Sequence, residues 1–489
     1  MRTLVLLLAG ALGGCGTLAP RYERPAAPVA AQWPTPGQTP AQTPSQTPSQ
    51  ADDARARQAP ALGWREFFTD ARLQQLIDMS LANNRDLRQT ALAITQAQAQ
   101  YRIQRAELFP AVNASAGTTA KRTPGEVNGT GQAVTSRSPS AQLGVSSWEL
   151  DLFGRLQSLR DQALESYLAS TETLRSTRIS LVAEVANAYL TLSSDAALLA
   201  IAQDTLTSQQ ASYTLTQRRV ELGVGTELEL RQIETSLEGT RRDVAAYTAQ
   251  VAADRNALVL LVGAEVPDAL LPPAGLDSVT VVRPLPAGLP SSILQERPDV
   301  LAAEHQLKAA NANIGAARAA FYPSISLTAT AGTASTSLNG LFKAGTGAWT
   351  FVPQISLPIF NAGSNQASLD AATASRDSSL AAYEKAVQSA FKEVADALAT
   401  RASLDTRLNA QQKLVDAAAA SYRLSDARYQ KGVDSYLSAL DAQRTLYTAR
   451  QNLVSLRLTA ASNAVTLYKV LGGGDLERTP PASAATQEP

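Results

Sequence analysis

RYQKGVDSYLSALDAQRTLY, residues 428–447, reads as a helix that stops at Lys431-Gly432-Val433-Asp434 and then resumes. An earlier stretch, RRVELGVGTELELRQIETSL at residues 218–237, stops in the same way at Gly223-Val224-Gly225. The two glycines lie 209 residues apart (432 − 223), so one punctuation mark is written twice in the chain. Glycine takes positive φ at no steric cost and is the usual residue just past a helix end. Both stretches therefore predict a tight turn between two helices.

Outward from each break the pattern is long. No Pro intervenes from Arg155 to Glu221, nor from Asn365 to Lys431. In the first run one seven-residue position carries Leu164, Thr171, Arg178, Val185, Leu192, Leu199, Leu206, Tyr213 and Val220. The matching position of the second carries Leu380, Val387, Val394, Arg401, Leu408, Val415, Tyr422 and Tyr429, in register under the 209-residue shift. Past the breaks the repeat resumes, at Leu230, Leu237, Val244, Val251 and Leu258 and again at Ala439, Leu446, Leu453, Ala460 and Leu467. A sustained seven-residue repeat predicts coiled-coil packing of long helices. A run of about 67 residues spans about 100 Å, and the returning helix of about 37 residues covers about 55 Å of it. The segment Arg85 to Leu108 supplies about 36 Å from the other end, so two short helices match one long one and the breaks are expected at its far tip.

Between the helical runs the period changes. RAELFPAVNAS at 105–115 echoes RAAFYPSISLT at 318–328, each a helical pattern stopped by an aromatic-Pro pair, because Pro disfavours helix in the residue before it. After the second Pro, Ile325, Leu327, Ala329 and Ala331 fall on one face and Ser324, Ser326, Thr328 and Thr330 on the other. Trp349, Phe351, Ile355, Leu357 and Ile359 repeat the alternation on the way back. A weaker version runs from Val112 to Thr119 and through Ala141, Leu143 and Val145. Four strands of about ten residues, apolar on one side and small-polar on the other, with no globular core to pack on, predict a transmembrane β-barrel. The segment between the first two, KRTPGEVNGTGQAVTSRSP, reads as a loop facing outside. Four strands cannot close a barrel, and open edges in lipid leave backbone groups unsatisfied. Two chains would give eight strands with a filled interior, whereas three give twelve and a lumen, which small Ser/Thr side chains suit.

Composition narrows the function. Lys+Arg and Asp+Glu are both 43 in 489 residues, so no net field draws the chain to nucleic acid or anionic lipid. One His and one Cys leave no material for a multi-ligand metal site, a disulfide or a Cys/His nucleophile pair. His305, in a polar helical stretch, is expected to be a solvated or packed residue. No P-loop, GxSxG, HExxH or dinucleotide fingerprint is present, so neither an enzyme nor a cofactor is indicated. The start, MRTLVLLLAGALGGCGTLAP, has a charged Arg2, an apolar Leu4–Leu12 run and small residues before Cys15. Leu12-Gly13-Gly14-Cys15 looks like the lipobox of bacterial lipoproteins, so residues 1–14 are read as a signal peptide and Cys15 as the lipidated (palmitoylated) anchor to outer-membrane lipid. Residues 15–62 then form a mobile Pro/Thr/Gln-rich tether, 63–263 a first repeat, 264–298 a Pro-rich connection, 299–473 a second repeat and 474–489 a disordered tail. Beyond the signal, no stretch of about 18 uninterrupted apolar residues predicts a helical membrane span.

The lipobox, Phe109-Pro110 and Tyr322-Pro323, WELDLFGR at 148–155 against ISLPIFNAG at 355–363, and the duplicated tips with LDAQR at 440–444 carry a resemblance. From about Trp64 to Gly473 the chain resembles the TolC-type outer-membrane factors, in particular the OprM/NodT-like efflux lipoprotein subgroup. The resemblance implies an α+β membrane protein: a homotrimer with a twelve-stranded outer-membrane β-barrel, continued by a long periplasmic coiled-coil α-barrel. It also implies the exit duct of a tripartite efflux system for drugs or other small molecules. An inner-membrane pump, proton-driven and of the RND type, would deliver them through a periplasmic adaptor (membrane fusion) protein. Leu437 and Asp441, one turn apart, match the family's constriction rings, and Tyr429, Arg428 and Arg444 its polar latch. Arg444, three residues after Asp441, is placed to pair with it or with a neighbouring helix. Under the 209-residue shift Asp441 falls on Gln232 and Arg444 on Thr235, so the second hairpin is expected to be the mobile, gate-forming one. Gly223, Val224, Gly225, Gly432 and Val433 are the expected docking points for the adaptor. The readings competing with this one are a pore-free coiled-coil structural lipoprotein and a duct for cations or proteins.

Overall fold

The computed structural model describes residues 16–30, 33, 62–129, 131–276 and 291–478. The signal sequence 1–14, Cys15, and the greater part of the expected tether lie outside them. In chain order the main elements are α1 (Ala71–Asn83), α2 (Arg85–Ala106), β1 (Val112–Thr123), β2 (Val134–Leu150), α3 (Arg155–Glu221), α4 (Glu227–Val262), α5 (Pro298–Ala319), β3 (Ser324–Ala334), β4 (Gly347–Ser356), α6 (Ser364–Gln430) and α7 (Tyr436–Val470). α3 and α6 are both 67 residues long. The chain divides into two compact units, and α2, α3, α5 and α6 each contribute residues to both.

The first unit, residues 1–26, 93–171 and 302–384, holds one antiparallel sheet in the order β1-β2-β3-β4. Directly paired residues share a face, which makes the register a map of the two surfaces. Leu150–Ile325–Ile355, Val145–Ala329–Phe351 and Leu143–Ala331–Trp349 line up on one side. Glu149–Ser326–Gln354 and Gly144–Thr330–Thr350 line up on the other. The apolar side is bare, with Trp349 79% and Ile355 70% exposed. A bulge between Val145 and Trp148 puts Ser147 at φ 54, where its N–H donates to Thr328 Oγ1 at 3.1 Å. β1 and β4 end the sheet, each with one edge unpaired among the described residues.

The expected tether begins as a docked strap. Asn311 Nδ2 donates to the Pro20 carbonyl at 2.7 Å and Arg318 Nη1 to that of Leu18 at 3.1 Å. A Cβ on Gly315 of α5 would come within 2.7 Å of Ala19 N, so the strap lies in a groove that only glycine leaves open. Arg24 grips Glu304 through two bonds of 3.0 and 2.6 Å, Tyr22 adds a third at 3.1 Å, and Lys308 stands 3.3 Å away. Burial alone would raise the Glu304 carboxyl, but the Arg24 hydrogen bonds and the Lys308 and Arg24 charges outweigh it and hold the group below the usual carboxylate range. Composition concealed this because three anchoring side chains are spread among prolines. His305 is packed, as expected, its Nδ1 lying 2.6 Å from Glu165 Oε2.

The second unit, residues 27–92, 172–301 and 385–489, has a conventional core. Trp64, Phe67, Phe68, Leu76 and Ile77 pack on Val185, Tyr189, Leu190, Leu258 and Tyr468. Phe67 stacks on Tyr468 at 3.8 Å between ring centroids. Among the described residues, α3 is the one helix long and apolar enough to cross a membrane by composition, and its apolar residues from Leu181 to Leu192 are packed in this core. Ser80 and Asn84 both donate to the Leu261 carbonyl at 2.9 Å, satisfying the end of α4. Within this unit Trp33 stacks on Phe391 and donates to its carbonyl at 3.2 Å. The expected disordered tail also starts as ordered chain: Asp475 pairs with Arg175 at 2.9 Å and Glu477 with Arg65 at 2.7 Å. Specific ion pairs hold residues that hydrophobicity would leave free.

Asp195 of α3 and Asp254 of α4 face each other, Gln250 holding Asp254 at 2.8 Å. Burial first, then the Asp254 hydrogen bond and charge, push the Asp195 carboxyl up to about 6. A raised carboxyl means the folded state binds more protons, so stability declines as pH rises from about 4 to about 6. Asp195→Asn is expected to raise the thermal midpoint at pH 7.5, with the gain vanishing near pH 4; an equal gain at both values would exclude this coupling. In the first unit, Glu304→Ala removes charge-assisted hydrogen bonds worth about 1–2 kcal/mol. Trypsin should then cut after Arg21 about tenfold faster than in the wild type, as strap opening becomes more populated.

Candidate functional site

Both helix breaks fold as the same motif. At the first, Gly223 has φ +74, its N–H bonds the Val220 carbonyl at 3.0 Å, and the Val224 N–H reaches back to Arg219 at 2.9 Å. At the second, Gly432 has φ +71 and the equivalent bonds run to Tyr429 and Arg428, both at 2.9 Å. These pairs of bonds close a helix end around a left-handed residue, which is why glycine stands there. Val224 and Val433 point into solvent, 66% and 61% exposed, and Gly225 follows Val224 in the same turn.

The second arm of each hairpin starts differently. Thr226 and Glu229 form a reciprocal capping box at the start of α4. Ser435 makes no such side-chain bond; instead Arg428 grips Asp434 with both guanidinium edges, Nη2 lying 3.0 Å from Oδ1. That bond holds the Asp434 carboxyl below its ordinary range. Asp434 occupies the position that Gly225 has in the first tip, so the halves diverge where the ion pair forms. Arg428, expected in a latch around Asp441, is therefore committed to its own turn.

Tyr429, the next expected latch residue, is buried with Tyr436, Ile233, Ala439 and Leu440. Its hydroxyl shares a hydrogen bond with Thr216 at 3.2 Å, and Arg219 lies over its ring 5.2 Å from the centroid. Burial, and then the neighbouring Tyr422, pushes the Tyr436 hydroxyl up to about 12, so it stays neutral. A polar ladder continues away from the tip. Gln443 donates to Ser208 at 3.2 Å, Tyr447 to Asp243 at 3.2 Å and Gln451 to Tyr247 at 3.0 Å. These bonds join the two hairpins, and the apolar seven-residue reading had missed them. The signal available was the row of Ser, Thr and Tyr at positions where a coiled coil would carry Leu.

α7 has two faces at the tip. Tyr436, Ala439, Leu440 and Gln443 are buried against the chain, whereas Leu437, Asp441 and Arg444 form an exposed stripe, Leu437 being 54% exposed. Asp441 and Arg444 form no ion pair with each other or with any other described residue, so the expected local pairing is absent within the chain. The matching stretch of α4 has charges of another kind. There Arg231 bridges Glu227 at 2.7 Å and Glu234 at 2.6 Å. Among the described residues no group of three His, Cys, Asp or Glu could hold a metal ion.

A sheet with one bare apolar face and two open edges, joined in one chain to duplicated helical hairpins, defines the class of an outer-membrane channel subunit. The chain belongs to the outer membrane efflux protein family, whose model matches residues 76–264 and 289–473. It is 52% identical over 468 residues to the probable efflux pump outer membrane protein TtgC of Pseudomonas putida, covering 96% of this chain and 94% of that one. With the outer membrane protein OprJ of Pseudomonas aeruginosa it shares 41% identity, covering 96% of this chain and 95% of that protein. Among solved structures, the open-state MtrE outer membrane channel of Neisseria gonorrhoeae matches with a TM-score of 0.82 at 39% identity, over 95% of this chain and 100% of the other. A membrane protein from Pseudomonas aeruginosa matches with a TM-score of 0.85 at 40% identity, over 94% and 100%. The chain is an outer-membrane channel component of an efflux system, with the trimeric barrel fold and periplasmic helical extension of that family.

Tyr429→Phe leaves the buried Thr216 hydroxyl without its partner, at a cost of about 1–2 kcal/mol. Amide exchange at residues 213–220 is expected to quicken about five- to thirtyfold. Unchanged protection would mean that this bond does not hold the hairpins together.

Proposed function

We propose that three copies of the chain close the duct, and that α7 of each supplies its gate. The observation that carries the gate is the exposed stripe of Leu437, Asp441 and Arg444, on a helix whose opposite face is buried against its own chain. Threefold symmetry turns each stripe position into a ring. Three leucines make an apolar constriction, and one turn away three carboxylates face one another, a costly arrangement that Arg444 of a neighbouring chain offsets. Because Arg428 is bound to Asp434 and Tyr429 to Thr216, these two hold the tip's shape, and Asp441 and Arg444 do the gating. The first hairpin, its charges neutralised locally by Arg231, serves as the static wall.

The exposed turns at Gly223-Val224-Gly225 and Gly432-Val433 dock the helical end of a periplasmic adaptor, which links the duct to a proton-driven inner-membrane pump of the RND type. Relatives of this chain are named for efflux of antibiotics, toluene and solvents. We assign small organic molecules as its cargo on that ground, with the lining playing no catalytic part. Cys15, outside the described residues, is the proposed site of the lipid anchor.

In planar bilayers Asp441→Ala combined with Arg444→Ala should raise single-channel conductance severalfold over the wild type. No increase in a variant of native trimeric mass would sink the gate assignment.

A further inference from the structure

The outer ends of β1 and β2 carry charge that the chain does not neutralise. Across residues 119–140 and 333–347, Lys121, Arg122, Arg137 and Lys343 stand against one carboxylate, Glu126. All four cationic side chains are exposed, and none makes an ion pair among the described residues.

The register says which way they face. Val112↔Val145, Ala114↔Leu143, Ala116↔Ala141, Ala120↔Arg137 and Arg122↔Thr135 share one side of the β1–β2 ladder. That side is continuous with Leu143–Ala331–Trp349 and Val145–Ala329–Phe351, the apolar face. Arg122 and Arg137 are thus diagonal neighbours on the lipid side of the sheet, and Lys121 points to the polar side. Arg137 is six residues beyond Leu143, the partner of the Trp349 row. At about 3.3 Å per residue that is about 20 Å along the strand, or about 15 Å along the membrane normal for a tilt of about 40°.

A guanidinium on the lipid face costs about 2–4 kcal/mol at the bilayer midplane and about 0–1 near its surface, so these two arginines belong at headgroup height or above. There they face outward into whatever polar groups the surrounding lipid presents. Solvation alone would be met by Ser or Thr, which the same strands carry in number. Two adjacent unpaired guanidiniums offer a fork that matches phosphate oxygens. We propose that Arg122 and Arg137 of each chain bind the phosphate groups of an anionic glycolipid packed against the outside of the barrel in its outward-facing leaflet. The proposal rests on the barrel being inserted in the outer membrane with the β1–β2 connection outside.

The test is native mass spectrometry of the detergent-solubilised trimer titrated with bis-phosphorylated lipid A and with its dephosphorylated form carrying the same acyl chains. Wild type should bind the phosphorylated form at least about tenfold more tightly. Arg122→Gln with Arg137→Gln should abolish that preference, and Lys121→Gln should keep it. Equal affinity of wild type for the two lipids would overturn the proposal, as would a preference that survives the double substitution or is lost equally with Lys121→Gln. Conductance of the same preparations separates the two readings: a wild type that fails to conduct refutes the barrel, and one that conducts without phosphate preference refutes the lipid site. A double variant that conducts normally is a folded barrel.

Discussion

A β-sheet in hydrocarbon cannot leave its edges unpaired, because each free N–H and C=O there lacks the water that would satisfy it. The four-stranded sheet has two such edges, one on β1 and one on β4. Nothing among the described residues covers them, so assembly is a condition for the membrane-spanning part to exist. The rest follows from it. Symmetry multiplies every feature of the chain, so a side chain that is unremarkable on one helix becomes part of a ring. It also explains why exposed apolar residues such as Trp349 and Ile355 are no fault in the fold: their solvent is lipid.

The hairpins obey a different constraint. Coiled coils packed through leucine alone are firm, whereas this chain joins its two hairpins near the tips through hydroxyl, amide and carboxylate groups, Tyr429 with Thr216 and Tyr447 with Asp243. Such bonds are directional, and their groups are satisfied by water once separated, so they hold a defined position without a large barrier to leaving it. The gate proposed above, whose helices both seal and open, would draw on that chemistry. The Schellman turns at Gly223 and Gly432 need no movement of their own, since each is satisfied within its helix end.

Duplication makes the divergences informative. The two halves share the glycine turn, the seven-residue repeat and the aromatic-Pro junctions, and they part at a few positions. Asp434 takes the place of Gly225 and recruits Arg428, while the equivalent Arg219 is left to cover the Tyr429 ring. One ancestral arginine position thus serves an ion pair in one tip and a cation–π contact in the other. The strap shows a comparable economy. Tyr22 and Arg24 dock the start of a proline-rich segment through a few strong contacts, without any regular structure.

By itself the sequence determined the elements and their duplication. Proline placement, seven-residue and two-residue periods and a pair of glycines are local signals, and each follows from backbone sterics acting over a few residues. From them the long helices Arg155–Glu221 and Ser364–Gln430 and the tip turns were legible almost to the residue, whereas the strands were found but misjudged in extent: residues 121–123 and 134–139, expected in the loop, belong to β1 and β2, and Leu357 and Ile359 fall beyond β4. Only the tertiary structure decided who pairs with whom. It committed Arg428 to Asp434, buried Tyr429, left Asp441 and Arg444 apart and exposed, and docked residues that composition marked as free. A polar side chain's partner depends on which helix face lies opposite and at what height, and that is set by packing across hundreds of residues, which no local pattern records.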